Sequence, residues 1–148
     1  MKEIHTQIDI HASAERAWQL LLDFNNYSQW NPFIRQINGV PNVGTKLEIH
    51  LHTASGKTRI YRPTITKLEP YHELRWYGKS FIPGMFNGEH IFTIKTFEAN
   101  HILFLHREIF TGLGVVLAGD RLDKDMYQSF EKMNNAFKAQ LENAATDS

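Results

Sequence analysis

The chain has 148 residues, 16 basic and 16 acidic side chains, a formal net charge of zero and no cysteine. That balance supplies neither a basic surface for nucleic acid nor an acidic tail, and the lack of cysteine excludes disulfides, thiolate metal sites and a cysteine nucleophile. The length is that of one domain, spanning 1–148, and with no signal-peptide core after Met1 and no apolar run of about 18 residues the expectation is a cytoplasmic protein without a membrane span.

Ile4, Thr6, Ile8 and Ile10 alternate with Glu3, His5, Gln7 and Asp9, which predicts a half-buried strand. Ser13 is placed to cap a helix, with Glu15 in the first turn where the helix dipole favours an anion. Trp18, Leu21 and Leu22 give that helix one apolar face. Asp23 is placed to cap a second short helix through Tyr27. Asn31-Pro32 ends it, because the residue before a proline is biased away from the helical region.

The period then changes from helical to two. Strands are predicted over Phe33–Val40 and around Leu47, Ile49 and Leu51. A long one runs from Thr58 to Leu68, where Pro63 marks an edge or a bulge. His72–Tyr77 follows the turn at Pro70-Tyr71. The segment from Gly78 to Gly88 reads as a long loop. Glu89–Phe97 and His101–Phe110 form a hairpin around Glu98-Ala99-Asn100. Beyond Gly112 and Gly114, Val115-Val116-Leu117-Ala118 forms the apolar entry to a helix of about six turns. Its stripe is Leu122, Met126, Phe130, Met133, Phe137 and Leu141. One antiparallel sheet of seven strands with helices at the chain ends is α+β, and the stripe needs the concave face of that sheet to bury against.

This order resembles the helix-grip fold of the START-related, or SRPBCC, superfamily, shared with the birch-pollen allergen. Tyr27-Ser28-Gln29-Trp30-Asn31-Pro32-Phe33-Ile34 and Val43-Gly44-Thr45 are similar to the first third of its small bacterial polyketide cyclase/dehydrase-like group. Gly88-Glu89-His90-x-Phe92 and Phe104-x-His106-Arg107-Glu108-x-Phe110-x-Gly112 are similar to its last hairpin, and Phe130-Glu131-Lys132-Met133-Asn134 to its closing helix. No glycine-rich loop separates the second and third strands, unlike the pathogenesis-related plant members, and the chain is shorter than a full steroid-transfer domain. The group includes cyclases, hydrolases and lipid carriers. The resemblance implies a loop-closed cavity between sheet and long helix.

The residues themselves support such a cavity. Val116, Met126, Phe130 and Met133 suit an irregular ligand on the helix side, since methionine and phenylalanine adapt to shape. Phe81, Ile82, Met85 and Phe86 are unusually apolar for a connection and fit a lid folded inward. Trp30, Phe33 and Trp76 either line the cavity or plug it. Tyr61 points inward with Ile65 and Trp76 unless Pro63 bulges the strand. A sheet packed solid against the helix is the competing account.

The hairpin carries the chemistry. A three-residue loop at 98–100 pairs His90 with Glu108, Phe92 with His106 and Ile94 with Phe104. Strand parity places all of them on the face that Phe92, Phe104 and Phe110 make apolar. A carboxylate there demands a partner, and an imidazole is the obvious one. The pair is either a polar anchor and acid–base site on the cavity wall or a satisfied structural pair. His50-x-His52 has chelating spacing but no identifiable third ligand, so no metal is expected. No nucleophile elbow, phosphate loop or dinucleotide fingerprint appears, and no cofactor is expected. Three functions remain open: a module that binds a small hydrophobic ligand, a polyketide cyclase-type enzyme using His90 or His106 with Glu108, and an interaction protein. For the last, Leu103, Leu105 and Ile109 on the opposite hairpin face provide a contact surface, giving a monomer or a weak homodimer.

Overall fold

Period-two alternation carries the chain into strand β1, Lys2–Ile10, with Ile4, Thr6 and Ile10 buried and the odd-numbered residues exposed. The computed structural model describes the backbone of residues 1–79, 87–118 and 120–146, and the side chains in those ranges other than 116–118, 120–122 and 144–146. Helix α1, Ala14–Leu22, starts at Ser13, whose hydroxyl accepts from the Arg16 amide at 3.2 Å. A 3-10 helix follows over Phe24–Gln29. Asp23 makes no side-chain cap to it and accepts instead from the Asn26 side-chain amide at 2.8 Å.

Asn31 then turns the chain into the sheet. Fully buried, its Oδ1 accepts from the amides of both Phe33, at 2.9 Å, and Ile34, at 2.8 Å. These bonds satisfy backbone donors that the following proline and the bend leave without ladder partners. Strands β2 (Ile34–Asn38), β3 (Glu48–His52) and β4 (Thr58–Tyr61) form an antiparallel unit in the order β2-β3-β4. The long strand expected over 58–68 breaks at Arg62-Pro63, because proline lacks the amide to continue the ladder, and resumes as β5, Thr64–Glu69. The described residues therefore form eight strands. Strands β6 (Glu73–Lys79), β7 (Asn87–Glu98) and β8 (His101–Thr111) complete a second unit ordered β1-β8-β7-β6-β5. Backbone bonds from Gly44 to Ile65 (2.8 Å), Ile65 to Thr45 (3.0 Å) and Leu47 to Pro63 (2.8 Å) stitch the units into one open antiparallel sheet.

The β7–β8 register is the expected one, with His90 opposite Glu108 and Phe92 opposite His106. The turn differs. Glu98 pairs with His101, so two residues make the turn and Phe97 bulges out of the ladder, 56% exposed. A bulge and a shorter turn offset one another, and the facing pairs stay the same.

The last third of the chain is helical over α2 (Leu113–Ala118) and α3 (Asp120–Thr146), with residue 119 between them outside the described residues. Met126, Phe130, Met133, Phe137 and Leu141 of α3 are buried against the sheet. Three sets of bonds hold α3 there. Near its start, Asp125 and Ser129 accept from the Ser55 and Ala54 amides, each at 2.8 Å. Near its end, Arg16 donates to the Leu141 carbonyl at 2.8 Å, and Glu142 accepts from the His11 amide at 2.9 Å. The middle set is buried and belongs to the site described below. No helix among the described residues is long and apolar enough to cross a membrane. The overall arrangement is the helix-grip fold.

Asn31→Ala leaves two buried amides without an acceptor. It is expected to lower the unfolding free energy by about 2–4 kcal/mol in urea titration, whereas a change within about 0.5 kcal/mol contradicts this role of Asn31.

Candidate functional site

The pleat of β7 and β8 turns His90, Phe92, Phe104, His106, Glu108 and Phe110 toward α3. Imidazoles and a carboxylate amid phenyl rings must find partners within reach, and these do. His106 Nδ1 lies 2.9 Å from Asn134 Oδ1 of α3. The Asn134 Nδ2 donates to the Thr6 hydroxyl of β1 at 2.8 Å, and Thr6 donates to the His106 carbonyl at 2.8 Å. The Nε2 atoms of His106 and His90 are 2.6 Å apart, and His90 Nδ1 lies 3.5 Å from Glu108 Oε2. A polar chain thus runs Thr6–Asn134–His106–His90–Glu108 through the core.

Aromatic rings sheathe it. Phe130 stacks on His106, with centroids 4.0 Å apart and planes within 8°. Phe92 stacks on His90 at 4.6 Å, and Trp76 lies 5.3 Å from His90. Burial holds the His106 pKa well below the usual 6.5, the nearby His90 adds to that depression, and the bond to Asn134 opposes it. His106 is therefore a neutral imidazole.

The Glu108 end of the chain is built differently. Gly78 of β6 pairs with Gly88 of β7, and the two glycines leave a recess in the inner face of the sheet that the Tyr61 and Glu108 side chains enter. Tyr61 lies over Gly78, its ring occupying the place a side chain there would need. The Glu108 carboxylate lies over Gly88, where an added Cβ would meet its Oε1 at 2.5 Å. In this recess the Tyr61 hydroxyl and the Trp76 indole Nε1 are buried next to one another, and neither has a hydrogen-bond partner of good geometry. Burial, reinforced by the charge of Glu108, raises the Tyr61 pKa well above 10.0, so the phenol keeps its proton.

The expected lining residues divide into groups. Trp76 and Tyr61 meet His90 and Glu108 at this recess. Phe33, Phe92, Phe104 and Phe130 interlock in the middle, with Phe33 5.6 Å from Phe130 and Phe92 5.9 Å from Phe104. Trp30 is tilted against Tyr27 at 5.2 Å and Phe137 at 5.6 Å, with its own Nε1 buried and unpartnered. Phe110, Met126 and Met133 are buried on β8 and α3. Phe81, Ile82, Met85, Phe86 and the Val116 and Leu122 side chains lie outside the described residues. Two open grooves border α3: one of about 410 Å³ lined by Ala54, Gln128, Glu131, Lys132 and Asn135, and one of about 250 Å³ that includes Thr6 and Asn134. His50 bonds to Glu48 at 2.9 Å and His52 is exposed. Among the described residues no three histidine or carboxylate side chains converge as metal ligands.

Thr6 and Asn134 were not foreseen as site residues. Thr6 breaks an otherwise isoleucine-lined strand face, and Asn134 follows Met133 directly on a helix whose other buried residues are apolar except Ser129. Each is a small polar residue at a position whose periodicity demands burial, which is the available signal.

A family model described as polyketide cyclase / dehydrase and lipid transport matches residues 1–142. Among solved structures, a START superfamily protein from Mycobacterium smegmatis aligns with TM-score 0.78 at 18% identity, covering 96% of this chain and 98% of that one. The Zhui aromatase/cyclase from Streptomyces sp. R1128 aligns with TM-score 0.76 at 14% identity, covering 97% and 95%. The Aha1 dimer from Colwellia psychrerythraea aligns with TM-score 0.73 at 22% identity, covering 96% and 97%. At these identities the likeness to solved structures is one of fold. No curated protein sequence matches the chain.

Two outcomes follow from the geometry. Because the folded state resists protonating His106 whereas the unfolded chain accepts that proton near pH 6.5, stability is complete above that pH and declines below it. The unfolding free energy is expected to fall steadily as the pH drops from 7.5 to 5, and a flat profile over that range contradicts a neutral, buried His106. Gly88→Ala is expected to displace the flexible Glu108 carboxylate with little loss of stability, seen as a change in the His90 ring resonances by NMR. Unchanged His90 resonances contradict the packing of Glu108 over Gly88.

Proposed function

The chain belongs to the polyketide cyclase / dehydrase and lipid transport family, and from that premise we propose that it binds a small, largely apolar molecule through an oxygen atom held in the Gly78–Gly88 recess. The observation that carries the reading is the pair of buried donors, the Trp76 Nε1–H and the Tyr61 hydroxyl, without an acceptor beside Glu108. Leaving one such group unpaired costs about 1–3 kcal/mol. Indole N–H only donates, and the phenol retains its proton. The missing partner is therefore an acceptor, and a carbonyl or hydroxyl oxygen of a lipid, polyketide or aromatic compound supplies it. Apolar contact with neighbouring aromatic and methionine side chains then contributes the bulk of the affinity, about 25 cal/mol per Å² of apolar surface buried.

A second reading, an acid–base enzyme of the polyketide cyclase type, is favoured by the contact of His90 Nδ1 with Glu108 at 3.5 Å. A base beside a bound carbonyl is what deprotonation at the neighbouring carbon requires. Turnover of a poly-β-keto substrate by the wild type and its loss in Glu108→Gln support it; equal product from both removes the carboxylate from any mechanism.

The outer hairpin face favours a monomer or a weak homodimer. Leu105 is only 8% exposed, Leu103 and Ile109 are half-buried, and Arg75 and Arg107 hold ion pairs to Glu89 and Glu3, each at 3.0 Å. The dimer in the description of the Colwellia neighbour makes light scattering at high concentration the useful check, and a tight dimer contradicts this expectation.

For the ligand reading, native mass spectrometry of the purified protein is expected to show a bound small molecule or uptake of decan-2-one. Trp76→Phe, which deletes the donor and keeps an aromatic ring, is expected to weaken uptake roughly tenfold, the worth of about 1.4 kcal/mol. No uptake of any neutral amphiphile, or uptake indifferent to Trp76→Phe, overturns the reading.

A further inference from the structure

The direction of every hydrogen bond in the buried chain follows from donor and acceptor counts. Thr6 has one hydroxyl proton and two neighbours, the His106 carbonyl and the Asn134 side chain, each at 2.8 Å. A carbonyl only accepts. If Thr6 gave its proton to Asn134, its oxygen and the carbonyl would face each other with no proton between them. Both contacts are hydrogen bonds only when Thr6 donates to the carbonyl and receives from Asn134 Nδ2.

That choice orients the amide and fixes the rest. Asn134 Oδ1 then faces His106 Nδ1 at 2.9 Å and requires a proton on that nitrogen. His106 is neutral, so its Nε2 carries a lone pair. His90 Nε2, 2.6 Å away, must donate to it. One nitrogen of His90 remains, Nδ1, facing Glu108 Oε2 at 3.5 Å. A bare Nδ1 opposite an ionised carboxylate would be two acceptors confronting one another in a site where His90 is 3% and Glu108 7% exposed. One proton therefore lies at that contact. It is either on His90, making an imidazolium–carboxylate pair, or on Glu108, making a neutral acid and a neutral imidazole. Both arrangements have zero net charge.

We propose that Thr6 and Asn134 are positioning residues that polarise this chain in one direction, so that a single proton is stored at the His90–Glu108 contact and offered to the recess where Tyr61 and Trp76 lack acceptors. The last clause rests on the ligand reading; the polarity of the chain does not. An uncharged carbonyl or hydroxyl oxygen fits the two donors of the recess, because the His90–Glu108 pair has no surplus charge to neutralise an ion. Phe130, stacked on His106, and Asn134, one turn later, make α3 the part of the fold that sets the tautomer.

Long-range proton–nitrogen NMR of the ligand-free wild-type protein at neutral pH reads each imidazole nitrogen directly. His106 is expected as the neutral Nδ1–H form. His90 is expected either as an imidazolium beside an ionised Glu108 or as a neutral ring beside a protonated Glu108, the carboxyl read by carbon shift. His106 as the Nε2–H form, or a neutral His90 beside an ionised Glu108, overturns the proposal. Asn134→Asp keeps the acceptor, removes the donor to Thr6 and adds a charge, and is expected to protonate His106. Asn134→Leu is expected to release His106 into a mixture of tautomers. A residue that only packs changes stability and leaves the tautomer alone, so an unchanged His106 in whichever variant folds also overturns it. Neither arm needs a ligand, so failure of the polarity leaves the ligand reading standing, and absence of ligand uptake leaves the polarity standing.

Discussion

Helix α3 and the sheet keep one relative position because Asn134 bonds simultaneously to Thr6 and His106 inside a medium that is otherwise hydrocarbon. Aromatic and methionine side chains tolerate sliding; a phenyl ring displaced by one helical turn finds another phenyl ring. The amide does not. A shift of one turn, about 5.4 Å, strands the amide, a hydroxyl and an imidazole at once, each at about 1–3 kcal/mol. The bonds at the two ends of α3, from Asp125 and Ser129 to the β3–β4 turn and from Arg16 and His11 to Leu141 and Glu142, are at least partly open to water and correspondingly weaker. The buried amide does for this fold what a core asparagine does for a coiled coil, specifying register at some cost in stability.

The interior has two parts that differ in how far their polar groups are satisfied. Around His106 the rings of Phe33, Phe92, Phe104 and Phe130 close upon each other, and polar demand is met. At Glu108 the paired glycines remove side chains from the sheet surface, and two donors have nothing to bind. Packing and polar satisfaction normally fail together only where something else completes them. The recess is the part of the interior whose donors lack partners, and the central aromatic seam packs around the two histidines.

Most of the fold is visible in the residue pattern because one face of nearly every strand is buried. Parity alone put His90, His106 and Glu108 inside, and the facing pairs survived a misjudged turn since the Phe97 bulge compensated for it. Pro63 announced a disruption, but which way Tyr61 would point depended on the glycine opposite it, contributed by a strand seventeen residues further on. Asn134 and Thr6 meet across 128 residues, and periodicity carries no information about a partner at that separation. Their polarity at buried positions was the only trace. The apolar segment with Phe81, Met85 and Phe86 lies outside the described residues.

The three tryptophans offer the most direct measurement. Their indole N–H groups give three separate proton–nitrogen NMR signals, and two of them, from Trp30 and Trp76, are buried without an acceptor at opposite ends of the core. On titration with decan-2-one the Trp76 signal is expected to move downfield saturably as its N–H gains the ketone oxygen, while those of Trp18 and Trp30 stay in place. A saturable shift confined to Trp30, or no shift in any of the three, contradicts a ligand site in the glycine recess.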